Sequence, residues 1–116
     1  YSIKSYFLLD VEMPYMYKAT SNGQKNIAVR FSEYENISLA KYFKNKLKWV
    51  WIDTVTKLPI NKKNKNILNK FKSCIVCPER WGREQDINIY KKKLKKMKFE
   101  PNAIMTSKNC VNKWLE

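Results

Sequence analysis

The stretch 73-SCIVCPERWGRE-84 places two cysteines three residues apart at the end of an apolar run. It then breaks into Pro-Glu-Arg-Trp-Gly-Arg. Three readings compete: a metal or redox motif, a core strand that hands charged groups to a binding site, and part of a basic nucleic-acid surface. A structural zinc takes four ligands, usually Cys or His. The chain has Cys74, Cys77 and Cys110 and no histidine, so a zinc site falls one ligand short. A redox Cys-x-x-Cys opens a helix, whose dipole acidifies the thiol. Here CIVC leaves an apolar run and meets Pro78, so it reads as strand, where positions 74 and 77 face opposite sides. Three cysteines are also an odd set for a disulfide scaffold. They are expected as buried thiols of a cytoplasmic protein. PERWGR is then the loop the strand presents: Gly82 lets it turn, and Trp81 either walls a pocket or packs on the next helix.

Four more segments repeat this design: YFLLDVEMP (6–14), NIAVRFSEYE (26–35), WVWIDTVTKLP (49–59) and NAIMTSKN (102–109). Each opens with apolar, often β-branched or aromatic residues and ends in charged or hydroxyl ones. Strand starts spaced by ~21 to ~30 residues suit βα units with short loops. Continuous apolar runs, without strict alternation, predict parallel strands buried on both faces. Between them the period is helical. Ile87, Tyr90, Leu94 and Met97 form one stripe in 85–98, with lysines on the remaining face. Ile37, Ala40, Phe43 and Leu47 do the same in 37–47. Pro14 opens a helix over 14–20 that Gly23 stops. Residues 66–72 and 107–115 are shorter helical candidates. The expected fold class is therefore α/β: five successive βα units with parallel strands and right-handed crossovers. Two architectures fit, an open doubly wound sheet or part of a (β/α) barrel. With Gly23 and Gly82 the only glycines, neither a dinucleotide fingerprint nor a P-loop can be built.

A chain of 116 residues makes one domain at most. Its 44% hydrophobic content suits a packed core. No run approaches the ~20 apolar residues of a membrane helix, and nothing resembles a signal peptide. The opening YSIKSYFLLD already looks like strand. The net charge of +14 attracts polyanions in general. Yet only Arg30, Arg80 and Arg83 are arginines; the rest are lysines among many asparagines, the composition an A+T-biased genome writes onto any surface. The runs NKKNKN (61–66) and KKKLKK (91–96) read as a loop and a wet helix face. In KYFKNKLKWVW, the aromatics Tyr42, Phe43, Trp49 and Trp51 read as core by period, not as stacking platforms. No nucleic-acid motif appears, so nucleic acid is not the expected partner.

In parallel α/β folds, ligands bind beyond the carboxyl ends of the strands. All three arginines fall just past strand ends, as do Asp10, Glu12, Glu33, Glu35, Asp53 and Glu79. A guanidinium fork binds phosphate or carboxylate bidentately, where a lysine is only a point charge. Arg30, Glu33, Glu79, Arg80 and Arg83 are therefore the expected residues of a site for a small phosphorylated or carboxylated ligand. The same residues could instead pair among themselves and only organise the mouth.

In this order, YFLLDVEMP, VRFSEYE, VWIDTVTKLP, CIVCPERWGR and AIMTS resemble the C-terminal half of the glycerophosphodiester phosphodiesterase-like proteins, which belong to the phosphatidylinositol-phospholipase-C-like barrels and include bacterial members. The resemblance implies strands four to eight of a (β/α)8 barrel, with the earlier strands outside this chain. It also implies a phosphorylated small-molecule or sugar-phosphate ligand and a divalent cation, Mg2+ or Ca2+, with Asp10 and Asp53 as the candidate metal-side carboxylates. Family catalysis uses a histidine pair. This chain supplies no histidine, PERWGR departs from the family's PELHGR at two positions, and AIMTSKN lacks the usual acid after its threonine. A half barrel could also close by pairing with another copy.

Overall fold

The computed structural model describes residues 6–116. It is an alternation of helix and strand: α1 Met13–Ser21, β1 Ala28–Phe31, α2 Ser38–Phe43, β2 Trp49–Ile52, α3 Lys65–Leu68, β3 Lys72–Val76, α4 Ile87–Met97, β4 Ala103–Met105 and α5 Val111–Leu115. The four strands form one parallel sheet in the order β1-β2-β3-β4, so every strand lies beside its neighbour in sequence.

The α/β class stands, with one correction. The segment 6–14 is not a strand. Leu8 makes a single parallel bridge to Ile27, with its amide and carbonyl bonded to Asn26 O and Ala28 N at 2.7 and 2.9 Å. Asp10 then takes a left-handed φ of 57°, which ends the extension, and α1 begins with Pro14 in its first turn. The strand expected over the opening residues falls partly on 1–5, outside the described residues.

The two faces of the sheet differ. Val29, Phe31, Val50, Ile52 and Ile75 point into one core with Phe43, Leu47, Leu68, Tyr90 and Leu94 from the helices and loops. Each such side chain, fully buried, contributes roughly 1.5–3 kcal/mol. The stripe predicted for α4 is the one observed: Ile87, Tyr90 and Leu94 are buried and the lysines between them lie outside. On the opposite face, register sets Arg30, Trp51, Cys74 and Ala103 in one row. Here Trp49 and Trp51 are only half-buried, with the Phe7 ring tilted against theirs at centroid distances of 4.8 and 6.1 Å. Tyr42 is exposed. Of the four aromatics assigned to the core by period, only Phe43 is fully enclosed: Trp49 and Trp51 lie on the sheet face away from the helices, and Tyr42 lies on the outer side of α2.

Short polar ties fix the loops. In NKKNKN, the Asn61 side chain accepts from the amides of Lys63 and Asn64, and the Asn64 amide group donates to Pro59 O at 2.9 Å. The run is a loop that turns into α3. Thr54 Oγ1 donates to Val76 O at 2.8 Å across the sheet. No helix among the described residues is long and apolar enough to cross a membrane.

Candidate functional site at the carboxyl rim of the sheet

Each strand ends in a polar loop on the same edge of the sheet, and these loops build two different environments. The first lies over β1, β2 and the start of α4. Asp53 follows β2 directly and is buried. Its Oδ1 accepts from the Thr54 amide at 2.8 Å and from the Trp81 indole at 3.0 Å, and its Oδ2 pairs with Arg30 Nη2 at 3.1 Å. Arg30 also donates Nε to Glu35 at 3.1 Å, and the Ser32 hydroxyl donates to the same carboxylate. Arg30 thus uses two of its donor positions on the protein and keeps 44% of its side chain exposed.

Glu33 crosses to the next loop. Its Oε2 accepts from the amides of Thr56 and Lys57 and from the Thr56 hydroxyl, at 2.9 to 3.1 Å. Its Oε1 is buried with no partner. Arg83 spans the same gap from the other side. Nη1 donates to Val55 O at 2.7 Å, Nη2 to Thr54 O at 2.6 Å and to the Tyr90 hydroxyl at 2.8 Å, and Nε meets Asp86 at 3.1 Å. Burial disfavours the charge on Arg83, but Tyr90 and Asp86 more than offset this and raise its pKa. The fork of Arg83 is therefore filled by protein oxygens, and Glu33 is a cap for a neighbouring loop. Both were expected in a ligand site; the structure brings them to the rim but fills the Arg83 fork and one of the two Glu33 oxygens there.

The second environment lies over β3 and β4. The 3-10 turn Pro78–Trp81 ends at Gly82, whose φ of 78° is one glycine adopts without strain. Glu79 reaches across to the β4 loop, where its Oε1 accepts from the Thr106 hydroxyl and from the Ser107 amide at 3.1 Å. Burial alone would raise the Glu79 carboxyl. Thr106, Glu79's own amide and Ser107 reverse this and hold it below the usual range. The Cys77 thiol lies against the same carboxylate, and burial followed by Glu79 pushes the thiol up. Beside this pair opens a cavity of about 490 Å3, lined by Cys77, Glu79, Arg80, Glu84, Met105, Thr106, Ser107, Asn109 and Cys110. Its size falls in the range of small-molecule sites. Arg80 is exposed, lies 5.6 Å from the Trp81 ring, and makes no ion pair among the described residues.

The carboxylates proposed for a cation do not fit one. Both oxygens of Asp53 are committed, one to N–H donors and one to Arg30. Asp10 lies apart, in a cavity of about 280 Å3 with Arg30 and Glu35. No three acids or thiols converge as a metal site among the described residues. All three cysteines are free and buried, Cys74 and Cys77 as a core-strand reading of CIVC predicts, and burial drives Cys74 up to about 11.

Sequence reasoning placed Glu35 past a strand end and gave Trp81 as a pocket wall or a packing group, but assigned neither a partner, and it read Tyr90 only as part of the core stripe. Glu35 was legible, five residues after Arg30 and past the same strand end. The indole bond of Trp81 to Asp53 and the hydroxyl bond of Tyr90 to Arg83 join positions 28 and 7 apart, which no local pattern encodes. Comparison with protein-family models, with curated proteins and with solved structures gave no match.

Proposed function

We propose that this protein binds a phosphorylated small molecule, such as a sugar phosphate, at the carboxyl ends of its strands. The observation that carries the reading is Arg80. It is a guanidinium at a strand end, on a small-molecule-sized groove, in no ion pair among the described residues, while the two carboxylates of that groove are engaged elsewhere, Glu79 by Thr106 and Ser107 and Glu84 by Lys113. The Ser107 and Asn109 side chains on the same groove add neutral donors for phosphate oxygens. Arg30, with three of its five N–H donors free, extends the positive rim toward β1. The sequential parallel order of the strands supports the finer architecture, a run of consecutive units from a phosphodiesterase-like (β/α)8 barrel.

The reading stops at binding. Phosphodiester hydrolysis needs a general acid and base, and the resemblance assigns those tasks to histidines that this chain does not contain. Titration calorimetry with glycerol 3-phosphate and with glucose 6-phosphate tests the proposal. Saturable heat that Arg80→Ala weakens about tenfold or more is the expected result, since a charge-assisted hydrogen bond contributes ~1.5–3 kcal/mol. No heat with either ligand, or binding indifferent to Arg80→Ala, overturns it. Binding to random-sequence DNA, falling steeply with salt, would report the +14 charge alone.

A further inference from the structure

Charge is sorted between the two ends of the strands. Residues 13–32, 36–52 and 54–78 contain no Asp or Glu, and the acids that separate these stretches, Glu33, Glu35 and Asp53, belong to the carboxyl rim. The amino ends of β1, β2 and β3 are left to lysines. Lys25 precedes β1, Lys48 precedes β2 and Lys72 opens β3. Main-chain bonds tie the three together: the Lys48 amide donates to Lys25 O at 3.0 Å, and the Lys72 amide to Lys48 O at 2.8 Å. Neighbouring strands lie ~4.8 Å apart, so these lysines form a row across the amino edge. All three are exposed, and none makes an ion pair among the described residues.

A lysine set over an aromatic ring marks each end of the row. At one end the Lys46 ammonium lies 3.6 Å from the centroid of the Tyr42 ring. Tyr42 is 48% exposed, and the exposed Tyr17 ring stands 5.2 Å from it. At the other end Lys72 reaches over the half-buried Trp49 ring at 5.9 Å. Register places that pair side by side on the face away from the helices. The row therefore runs from the outer side of α2, over the amino edge, to the open face. By period Tyr42 belongs to the core, which leaves nucleic acid no ring to stack on; in the structure that ring is at the surface, among unpaired lysines. Leu47 and Phe71, the neighbours of Lys48 and Lys72 in sequence, are buried, so the row offers no aliphatic chain to the interior of a bilayer.

We infer that this row, Lys25, Lys46, Lys48 and Lys72 with Tyr42 and Trp49, binds single-stranded nucleic acid without sequence preference. Such binding combines a positive track for the phosphates with rings on which bases stack. A base takes the face of Tyr42 that Lys46 now covers, and the released ammonium turns to the flanking phosphate. Only an unpaired base can do so. Lysines suit the track, because a point charge on a flexible stem follows a mobile backbone without imposing one geometry. The row lies at the opposite end of the strands from Arg80, so this inference stands apart from the phosphate reading.

Fluorescence anisotropy with a labelled oligothymidine of about 12 nucleotides, within the site sizes of single-strand binders, tests it. Saturable binding that weakens as salt rises is expected. Tyr42→Ala should weaken it about tenfold, the loss of one base stack, and Tyr42→Phe should hold it within about twofold of the wild type. Lys48→Ala combined with Lys72→Ala should cost about tenfold. Lys92→Ala combined with Lys93→Ala removes the same charge from the outer face of α4 and should cost less than about threefold, since screening confines the effect of distant charges. Arg80→Ala should leave the affinity unchanged. Circular dichroism confirms the fold of each variant, and the two lysine pairs decide the matter if Tyr42→Ala does not fold. No binding, binding by a folded Tyr42→Ala as tight as that of the wild type, or equal losses from the two lysine pairs overturns the inference. Binding to phosphatidylserine-containing vesicles without binding to the oligonucleotide overturns it as well and assigns the row to a lipid surface.

Discussion

Arg83 and Arg80 stand three residues apart in one loop, yet the rim treats them oppositely. Arg83 is enclosed by Thr54 O, Val55 O, the Tyr90 hydroxyl and Asp86. Arg80 lines a groove whose two acids, Glu79 and Glu84, are held by Thr106, Ser107 and Lys113, and it makes no ion pair of its own among the described residues. The difference separates what holds the loops from what remains open to a ligand. Over β1 and β2, nearly every charge is matched by a protein group. Over β3 and β4, one guanidinium is left over.

The largest effect should come from Arg83→Ala. It strands two main-chain carbonyls and a tyrosine hydroxyl, and unsatisfied buried groups are costly. Urea denaturation should show a loss of about 3 kcal/mol. Arg83→Lys should recover only part of it, because an ammonium cannot reproduce the fork. A loss no larger than that of Arg80→Ala would erase the contrast.

Asp53→Asn comes next. It weakens the pair with Arg30 and disturbs the Trp81 indole bond, for an expected loss of about 1–2 kcal/mol by the same assay. Indole fluorescence should shift as Trp81 is released. An unchanged spectrum would mean that Trp81 is held by packing alone.

Arg80→Ala should alter stability by less than about 0.5 kcal/mol, as for exposed substitutions generally. Its effect belongs in the phosphate titration instead. The pairing of a stable fold with lost binding sharpens the comparison more than either result alone.

The smallest effect is on acid stability. The Glu79 carboxyl is held below its ordinary value in the fold. Its contribution is therefore complete above the unfolded carboxylate pKa, ~4.3, and fades as pH falls through the lower folded value. Thr106→Val removes the hydroxyl donor and should flatten the acid limb of the stability profile below about pH 4.3. An unaltered limb would place the acid sensitivity elsewhere.

Much of this rim could be read in the chain, because strand, charged end and helix recur in order. The stripe of α4 and the buried thiols followed directly from period and from the missing fourth zinc ligand. Two things resisted. The run FLLD has the composition of a core strand, but Asp10 turns it out of the sheet and Pro14 starts a helix, so three strong residues yield one bridge. The second was occupancy. Sequence places Arg30, Arg80 and Arg83 just past strand ends with equal weight, whereas Arg30 lies inside β1 and reaches the rim only through its side chain. Which of them is already saturated depends on partners such as Tyr90 and Val55, set by tertiary contact.

The burial of Cys74, Cys77 and Cys110 has a practical use. Only the thiolate reacts readily with an alkylating agent, and all three thiols are raised in pKa as well as enclosed. A brief pulse of iodoacetamide should leave the native chain unmodified and mark every molecule that opens during the pulse. Mass spectrometry of the pulsed protein would then count unfolding events one molecule at a time, at three separate points of the sequence, without any introduced label.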